Sequence, residues 1–232
     1  MAGSEIQIKG PDGSFMGYLA APAGGHGAGV VVIQEIFGVN AVIRGVADWL
    51  AGEGYFALCP DLFWRQEPGI QLTNQSEQEW QRAWQLYQGF SADKGVVDIQ
   101  ASIDRLRKTA GCTGKVGAVG YCLGGYLAYL TATRTTADCA VGYYGVGIEG
   151  QLGEAAKIRG RLMLHVAEKD QFCPPEAQQK LRAGLAGNAR VTLHAYPGVD
   201  HAFARPGGQH YDNAAADLAN QRTTAFLRSN LT

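Results

Sequence analysis

One stretch of this chain compresses a strand, a tight turn and a helix into fewer than twenty residues, and few architectures accommodate that succession. The apolar run Lys115-Val116-Gly117-Ala118-Val119 leads into Gly120-Tyr121-Cys122-Leu123-Gly124-Gly125, and a small-residue helical stretch, Tyr126 to Thr133, follows. In the G-x-S-x-G form of this pattern the central residue sits on a strained turn above a parallel sheet. The flanking glycines let the backbone bend and the helix pack close. Here a cysteine takes the serine's place. A small cysteine between glycines also suits a buried apolar position where strand meets helix, so the rest of the chain must separate the two readings.

Chain order does so. Asp170 follows a later strand, in Glu168-Lys169-Asp170, and His201 follows the last strand, in Gly198-Val199-Asp200-His201. Nucleophile, acid, histidine is the order of the α/β-hydrolase triad, whereas chymotrypsin-like and subtilisin-like enzymes use other orders. Asp200 is a rival acid, but adjacent residues rarely orient one another's rings, which favours Asp170.

The remaining elements alternate as that architecture requires. Glu5 to Lys9 and Phe15 to Ala20, around the turn residues Pro11-Asp12-Gly13, predict an opening antiparallel hairpin. Val30-Val31-Val32-Ile33 is a continuous apolar run, the mark of a strand buried on both faces of a parallel sheet. Asn40 caps a predicted helix whose apolar face takes in Val42, Ile43, Val46, Trp49 and Leu50, and the strand Tyr55 to Leu58 follows. The polar stretch from Trp64 to Ser76 reads as a loop covering the site. Glu77 to Phe90 reads as helix with Trp80, Trp84 and Tyr87 at i, i+4, i+7, a stripe that fits either core or pocket lining. Val96 to Lys108 is a second helix. Cys139 to Tyr144, Arg161 to Val166 and Val191 to Tyr196 are strands, Pro174-Pro175 opens a helix to about Leu185, and Asp212 to Leu227 is the last helix. The expected fold is α/β over residues 1–232 as a single domain: a mostly parallel central sheet, helices on both faces and an N-terminal hairpin.

Of the 232 residues, 46% are hydrophobic and 18% charged, a balance suited to a packed core, and the net charge of -1 without basic runs argues against nucleic acid or an anionic membrane as partner. A small molecule is the expected partner, the chain is read as a monomer, and a start without a basic or long apolar segment places it in the cytoplasm. The five cysteines, Cys59, Cys112, Cys122, Cys139 and Cys173, and the histidines His26, His165, His194 and His210 show no metal-ligand spacing, so no metal or other cofactor is expected.

A free thiol titrates near ~8.5, so Cys122 needs help to become a thiolate at neutral pH. His201 can take its proton, Asp170 can fix the imidazole tautomer, and the amino end of the following helix favours an anion. The Leu123 amide is one candidate oxyanion donor, and an amide near Ile36, after the first parallel strand, the other. These groups describe acyl transfer through a thioester. Glu35, at the end of a buried strand, is either ion-paired or functional, since burying it alone is costly.

Five ordered motifs carry a resemblance over nearly the whole chain: Gln34-Glu35-Ile36-Phe37-Gly38-Val39-Asn40, Cys59-Pro60-Asp61-Leu62, Gly120 to Gly125, Val141-Gly142-Tyr143-Tyr144-Gly145-Val146-Gly147, and His201-Ala202-Phe203-Ala204-Arg205. In these the sequence resembles the dienelactone hydrolase (carboxymethylenebutenolidase) family. The resemblance implies an α/β-hydrolase fold, a triad of Cys122, His201 and Asp170, and a substrate carboxylate that engages Arg205 while Glu35 swings to deprotonate the cysteine. It implies hydrolysis of dienelactone to maleylacetate in the breakdown of chlorinated and other aromatics, with Tyr144, Trp80 and Trp84 lining the substrate. One position departs: Trp80 stands where the family carries a second substrate arginine, and Arg82, two positions on, points about 200° away. A broader esterase or thioesterase on the same triad, or a binding protein that keeps the fold without turnover, are the alternatives.

Overall fold

The computed structural model describes residues 3–232. Eight strands form a mostly parallel sheet in the order β1-β2-β4-β3-β5-β6-β7-β8, and the chain divides into two compact units, one ending at Gly117 and the other beginning at Ala118. The fifth strand, β5 (Cys112–Tyr121), runs from one into the other.

In the first unit, β1 (Ser4–Gly10) and β2 (Gly13–Ala20) pair antiparallel from Ser4↔Leu19 to Gly10↔Gly13, the expected hairpin. β2 is antiparallel to β4 (Phe56–Pro60), and β4 is parallel to β3 (Gly27–Ile33). Val30 to Ile33 are wholly buried, as a strand covered on both faces must be. Helix α1 (Ala41–Gly52) begins where Asn40 Oδ1 accepts the Ile43 N–H. Its buried stripe is Ile43, Ala47, Leu50 and Ala51, while Val42, Val46 and Trp49 form a half-buried shoulder.

One expectation is corrected, and one left open between core and pocket lining is narrowed. Helix α3 (Ala92–Arg107) starts four residues before Val96, because Ser91 Oγ accepts the Lys94 N–H and Gly95 leaves room for the Phe90 ring, which a Cβ would meet at 2.5 Å. On α2 (Glu77–Gln88) the aromatic stripe is not core: Trp80, Trp84 and Tyr87 are 38%, 47% and 37% exposed, and the buried side chains are the smaller Ala83 and Leu86. The polar stretch before α2 is tightly pinned. Asp61 accepts the Phe63 and Gly69 N–H groups, while Trp64 and a forked Arg65 both donate to the buried Asp98 carboxylate. Farther on, the Leu72 N–H donates to Phe37 O and Asn40 Nδ2 to Leu72 O, so this stretch fixes the segment just past β3.

In the second unit, β6 (Cys139–Tyr143), β7 (Arg161–Ala167) and β8 (Val191–Tyr196) are successive parallel neighbours. Helices α4 (Leu123–Arg134), α5 (Pro175–Leu185) and α6 (Asn213–Asn230) alternate with them. Pro175 takes the first helical position of α5, where no N–H is needed, and Asp212 caps α6 by accepting the Ala215 N–H. A 3₁₀ segment, Ile148–Lys157, was not expected: its glycines at 150 and 153 give it no apolar period. Among the described residues, no helix is long and apolar enough to cross a membrane.

His165 on β7 is buried, and its pKa lies well below 6.5 because burial disfavours the cation and His194 and Arg222 add like charge. The unfolded chain therefore takes up a proton below pH 6.5 that the folded one refuses. The contribution is present above that pH and lost as it falls, by about 1.4 kcal/mol per pH unit. Replacing His165 by Gln should flatten the decline of unfolding free energy between pH 6.5 and 5, measured by urea denaturation.

Candidate active site

Cys122 separates β5 from α4 with φ 55° and ψ -113°, a left-handed conformation that costs a residue with a Cβ about 1–3 kcal/mol. Its N–H donates to Tyr143 O at 3.1 Å, and its carbonyl accepts the Tyr126 N–H at 3.1 Å. The glycines around it are packing requirements. A Cβ on Gly120 would lie 2.0 Å from Gly124 O, and one on Gly125 would lie 2.3 Å from Tyr143 O. Leu123 opens α4, and the Cys122 side chain makes no capping hydrogen bond. The sulfur and the Leu123 amide thus sit at the positive end of a twelve-residue helix, where a developing anion is favoured.

Past β7, the Asp170 carboxylate is 3% exposed and divides its oxygens: Oδ1 accepts the Phe172 N–H at 2.9 Å, and Oδ2 lies 2.8 Å from His201 Nδ1. Gln178 of α5 braces this turn by donating to the carbonyls of Ala167 and Cys173. Asp200 is turned the other way, accepting the His201 backbone N–H at 2.6 Å. The imidazole is held between two rings, Tyr144 at 5.1 Å and Phe172 at 5.0 Å, both edge-on. Residues on either side of the ring are strained: the non-glycine residues at positive φ among those described are Cys122, Tyr144 (39°) and Ala202 (62°). Such strain concentrates at functional sites.

Burial presses the His201 imidazole toward neutrality. The charge on the Cys122 sulfur, the hydrogen bond to Asp170 and the hydrogen bond to Cys122 outweigh it, and the group titrates at about 10 instead of near 6.5. The buried thiols are held protonated: burial holds Cys59 far above its usual range and pushes Cys139 and Cys173 up to about 12.

The structure therefore brings Cys122, His201, Asp170, Leu123 and Tyr144 together in the second unit. Arg205 lies in the turn after His201, 7% exposed, its N–H donating to Ala202 O at 3.0 Å. Phe172 and Gln178 were missed by sequence reasoning; a lone aromatic and a lone glutamine beside an acid carry no pattern. The other expected residues belong to the first unit. Glu35 and Ile36 follow β3, 2% and 4% exposed, on a segment held by Gln34, whose Oε1 accepts the Leu62 N–H at 3.0 Å. Trp80 meets Phe37 edge-on at 5.1 Å and Trp84 stacks on Tyr87 at 5.2 Å. Arg82 is engaged by Glu67 and Gln85. Among the described residues, no cluster of three or more His, Cys, Asp or Glu side chains could hold a metal ion.

The model of the dienelactone hydrolase family matches residues 15–231. A relative from Azospirillum brasilense is 50% identical across 98% of this chain and 99% of its own. The carboxymethylenebutenolidase of Pseudomonas putida is 42% identical across 96% and 94%. Among solved structures, a dienelactone hydrolase-like promiscuous phosphotriesterase from metagenomic libraries superposes with a TM-score of 0.83 over all of both chains; at 21% identity, that likeness speaks for the fold alone.

Proposed function

The chain belongs to the dienelactone hydrolase family, a family of hydrolytic enzymes, and from that premise we propose that it opens dienelactone to maleylacetate through a thioester on Cys122. The observation that carries this reading is the His201 ring, hydrogen-bonded to Asp170 on one side and to the Cys122 sulfur on the other. His201 holds the Cys122 proton while the thiolate attacks the lactone carbonyl, the ring C–O bond breaks, and the leaving enolate takes that proton from the imidazolium, which leaves His201 neutral. His201 then draws a proton from water, which adds to the thioester and returns the thiol. The Leu123 and Ile36 amides are proposed as oxyanion donors. On the family resemblance, Arg205 takes the substrate carboxylate and Glu35 assists deprotonation of the cysteine. The same reading has the enzyme work as a single domain and a cytoplasmic monomer in aromatic-compound breakdown.

A second reading, a broader carboxylesterase or thioesterase on the same triad, is favoured by α2. Trp80 and Trp84 present exposed indoles, and Arg82 is already paired with Glu67. Steady-state kinetics of the purified enzyme on cis- and trans-dienelactone and on neutral aryl esters separates the two. The first reading expects kcat/KM for a dienelactone to exceed that for the aryl esters at least tenfold, about 1.4 kcal/mol of discrimination. The reverse ratio establishes the second, and no dienelactone turnover by protein whose Cys122 can still be alkylated sinks the first.

A further inference from the structure

Behind the elbow runs a buried chain of polar side chains that the proposed chemistry does not touch. His165 on β7 has Nδ1 2.8 Å from the Tyr196 hydroxyl of β8 and Nε2 3.0 Å from Thr223 Oγ1 of α6. Thr223 Oγ1 lies 2.6 Å from the Tyr143 hydroxyl at the end of β6, which donates to Asn220 Oδ1 at 3.1 Å. Tyr143, His165, Tyr196 and Thr223 are each no more than 3% exposed.

With Tyr143 donating to Asn220, the donors along this chain follow by counting protons, and two further side-chain hydrogen bonds join it, between Tyr143 and Tyr121 and between Tyr196 and Arg222. Tyr143 has one hydroxyl proton and gives it to Asn220, so the short bond to Thr223 must be donated by Thr223. Thr223 has then spent its only proton, so His165 Nε2 must carry a hydrogen and donate to Thr223. A neutral imidazole protonated at Nε2 accepts at Nδ1, so Tyr196 donates there. The relay thus runs one way, Tyr196 to His165 to Thr223 to Tyr143 to Asn220, with His165, Thr223 and Tyr143 each both giving and receiving. The charged and titratable groups around it are His194 beside the His165 ring at 5.8 Å, Arg222 over the Tyr196 ring at 5.4 Å, and Tyr121 stacked on Tyr143 at 4.6 Å.

Both ends of the relay reach the reacting groups. Tyr143 offers its carbonyl to the Cys122 N–H, and the next residue, Tyr144, donates its N–H to the His165 carbonyl at 2.8 Å. Tyr144 in turn lies edge-on to His201. From the other end, Tyr196 packs on Phe203 at 4.9 Å and Phe203 on Tyr144 at 5.5 Å. The strained backbone of Cys122 and Tyr144 is therefore anchored on residues whose side chains the relay locks.

We propose that His165 and Thr223 are positioning residues: their buried relay sets the β6 corner that holds the Cys122 sulfur and the His201 imidazole in register. This deepens the reading of Cys122 as nucleophile and rests on it. Thr223→Val keeps the shape and removes the hydroxyl, while Thr223→Ser keeps the hydroxyl. Each variant is assayed on dienelactone, with active sites counted by alkylation of Cys122 and intact mass, and the rate of that alkylation by iodoacetamide is followed from pH 6 to 10. For Thr223→Val, kcat per titrated site should fall roughly tenfold or more with KM changed less than about twofold, because the loss is of alignment and not of binding. The alkylation profile should shift with it, and Thr223→Ser should restore both. Should Thr223→Val not fold, Tyr196→Phe breaks the relay at its first donor and is expected to show the same split. The proposal is overturned if a folded variant loses only melting temperature while kcat per site and the alkylation profile stay at wild-type values, or if Thr223→Ser fails to restore them. If the wild type does not turn over dienelactone, the alkylation series still decides: a profile that shifts in Thr223→Val and returns in Thr223→Ser supports positioning while the substrate reading falls.

Discussion

Cys122→Ala and Cys122→Gly should both reduce dienelactone turnover by at least about 10⁴-fold, and the two should differ in stability in a direction opposite to the usual one. Elsewhere, glycine in place of alanine costs about 0.5–1 kcal/mol through the entropy of the unfolded chain. At φ 55° and ψ -113° a Cβ is itself the burden, worth about 1–3 kcal/mol, and glycine removes it. Cys122→Ala keeps that strain and loses the thiol, so it should be the less stable of the pair by about 1 kcal/mol, read from urea denaturation. The nucleophile is thus held in a conformation the fold tolerates at the expense of stability, as activity at a sharp elbow requires. Equal stability of the two variants would refute strain at the elbow, and turnover surviving in either would remove Cys122 from the chemistry.

That elbow was legible because each of its requirements is local. Gly120 and Gly125 are demanded by carbonyls within about five residues or on the neighbouring strand, and a turn that admits only glycine leaves a mark in sequence. The Asn40 cap, the first-turn Pro175 and the Asp212 cap were legible for the same reason: a side chain or ring satisfies its own next three residues. The α2 stripe shows where periodicity stops. A spacing of i, i+4, i+7 says that Trp80, Trp84 and Tyr87 share a face, but which face is buried was decided by Ala83 and Leu86, whose smaller side chains let α2 approach its neighbours. The relay was invisible for a different reason. His165 in an apolar strand reads as filler, and its partners lie 31 and 58 residues away on elements that only the fold brings together. Phe172 is of this kind too: nothing in its neighbours says that an exposed ring will lie 5.0 Å from an imidazole.

Asp170→Asn should lower kcat/KM by about 10³–10⁴-fold while leaving the fold intact, because it changes a proton and not a shape. Asn keeps the oxygen that accepts the Phe172 N–H at 2.9 Å, and it presents an N–H₂ group to His201 Nδ1 where the carboxylate oxygen stood at 2.8 Å. Facing a donor, the neutral imidazole must accept at Nδ1 and carry its hydrogen at Nε2, where it can no longer take the Cys122 proton. Asp200 offers no rescue, since its carboxylate is bound to the His201 backbone N–H at 2.6 Å. The pH dependence of stability gives a second, independent reading. Against burial, the Cys122 charge and the Asp170 hydrogen bond raise the folded pKa of His201 to about 10, above the 6.5 of the unfolded chain. The folded state therefore holds a proton that the unfolded state has released, and the resulting stabilisation is fully present below pH 6.5 and lost as the pH rises toward 10. Removing the Asp170 charge shrinks that interval, so unfolding free energy should decline less steeply between pH 7 and 10 in Asp170→Asn than in the wild type. A variant with wild-type kcat/KM, or with an unchanged slope of stability against pH, would place the acid partner of His201 elsewhere.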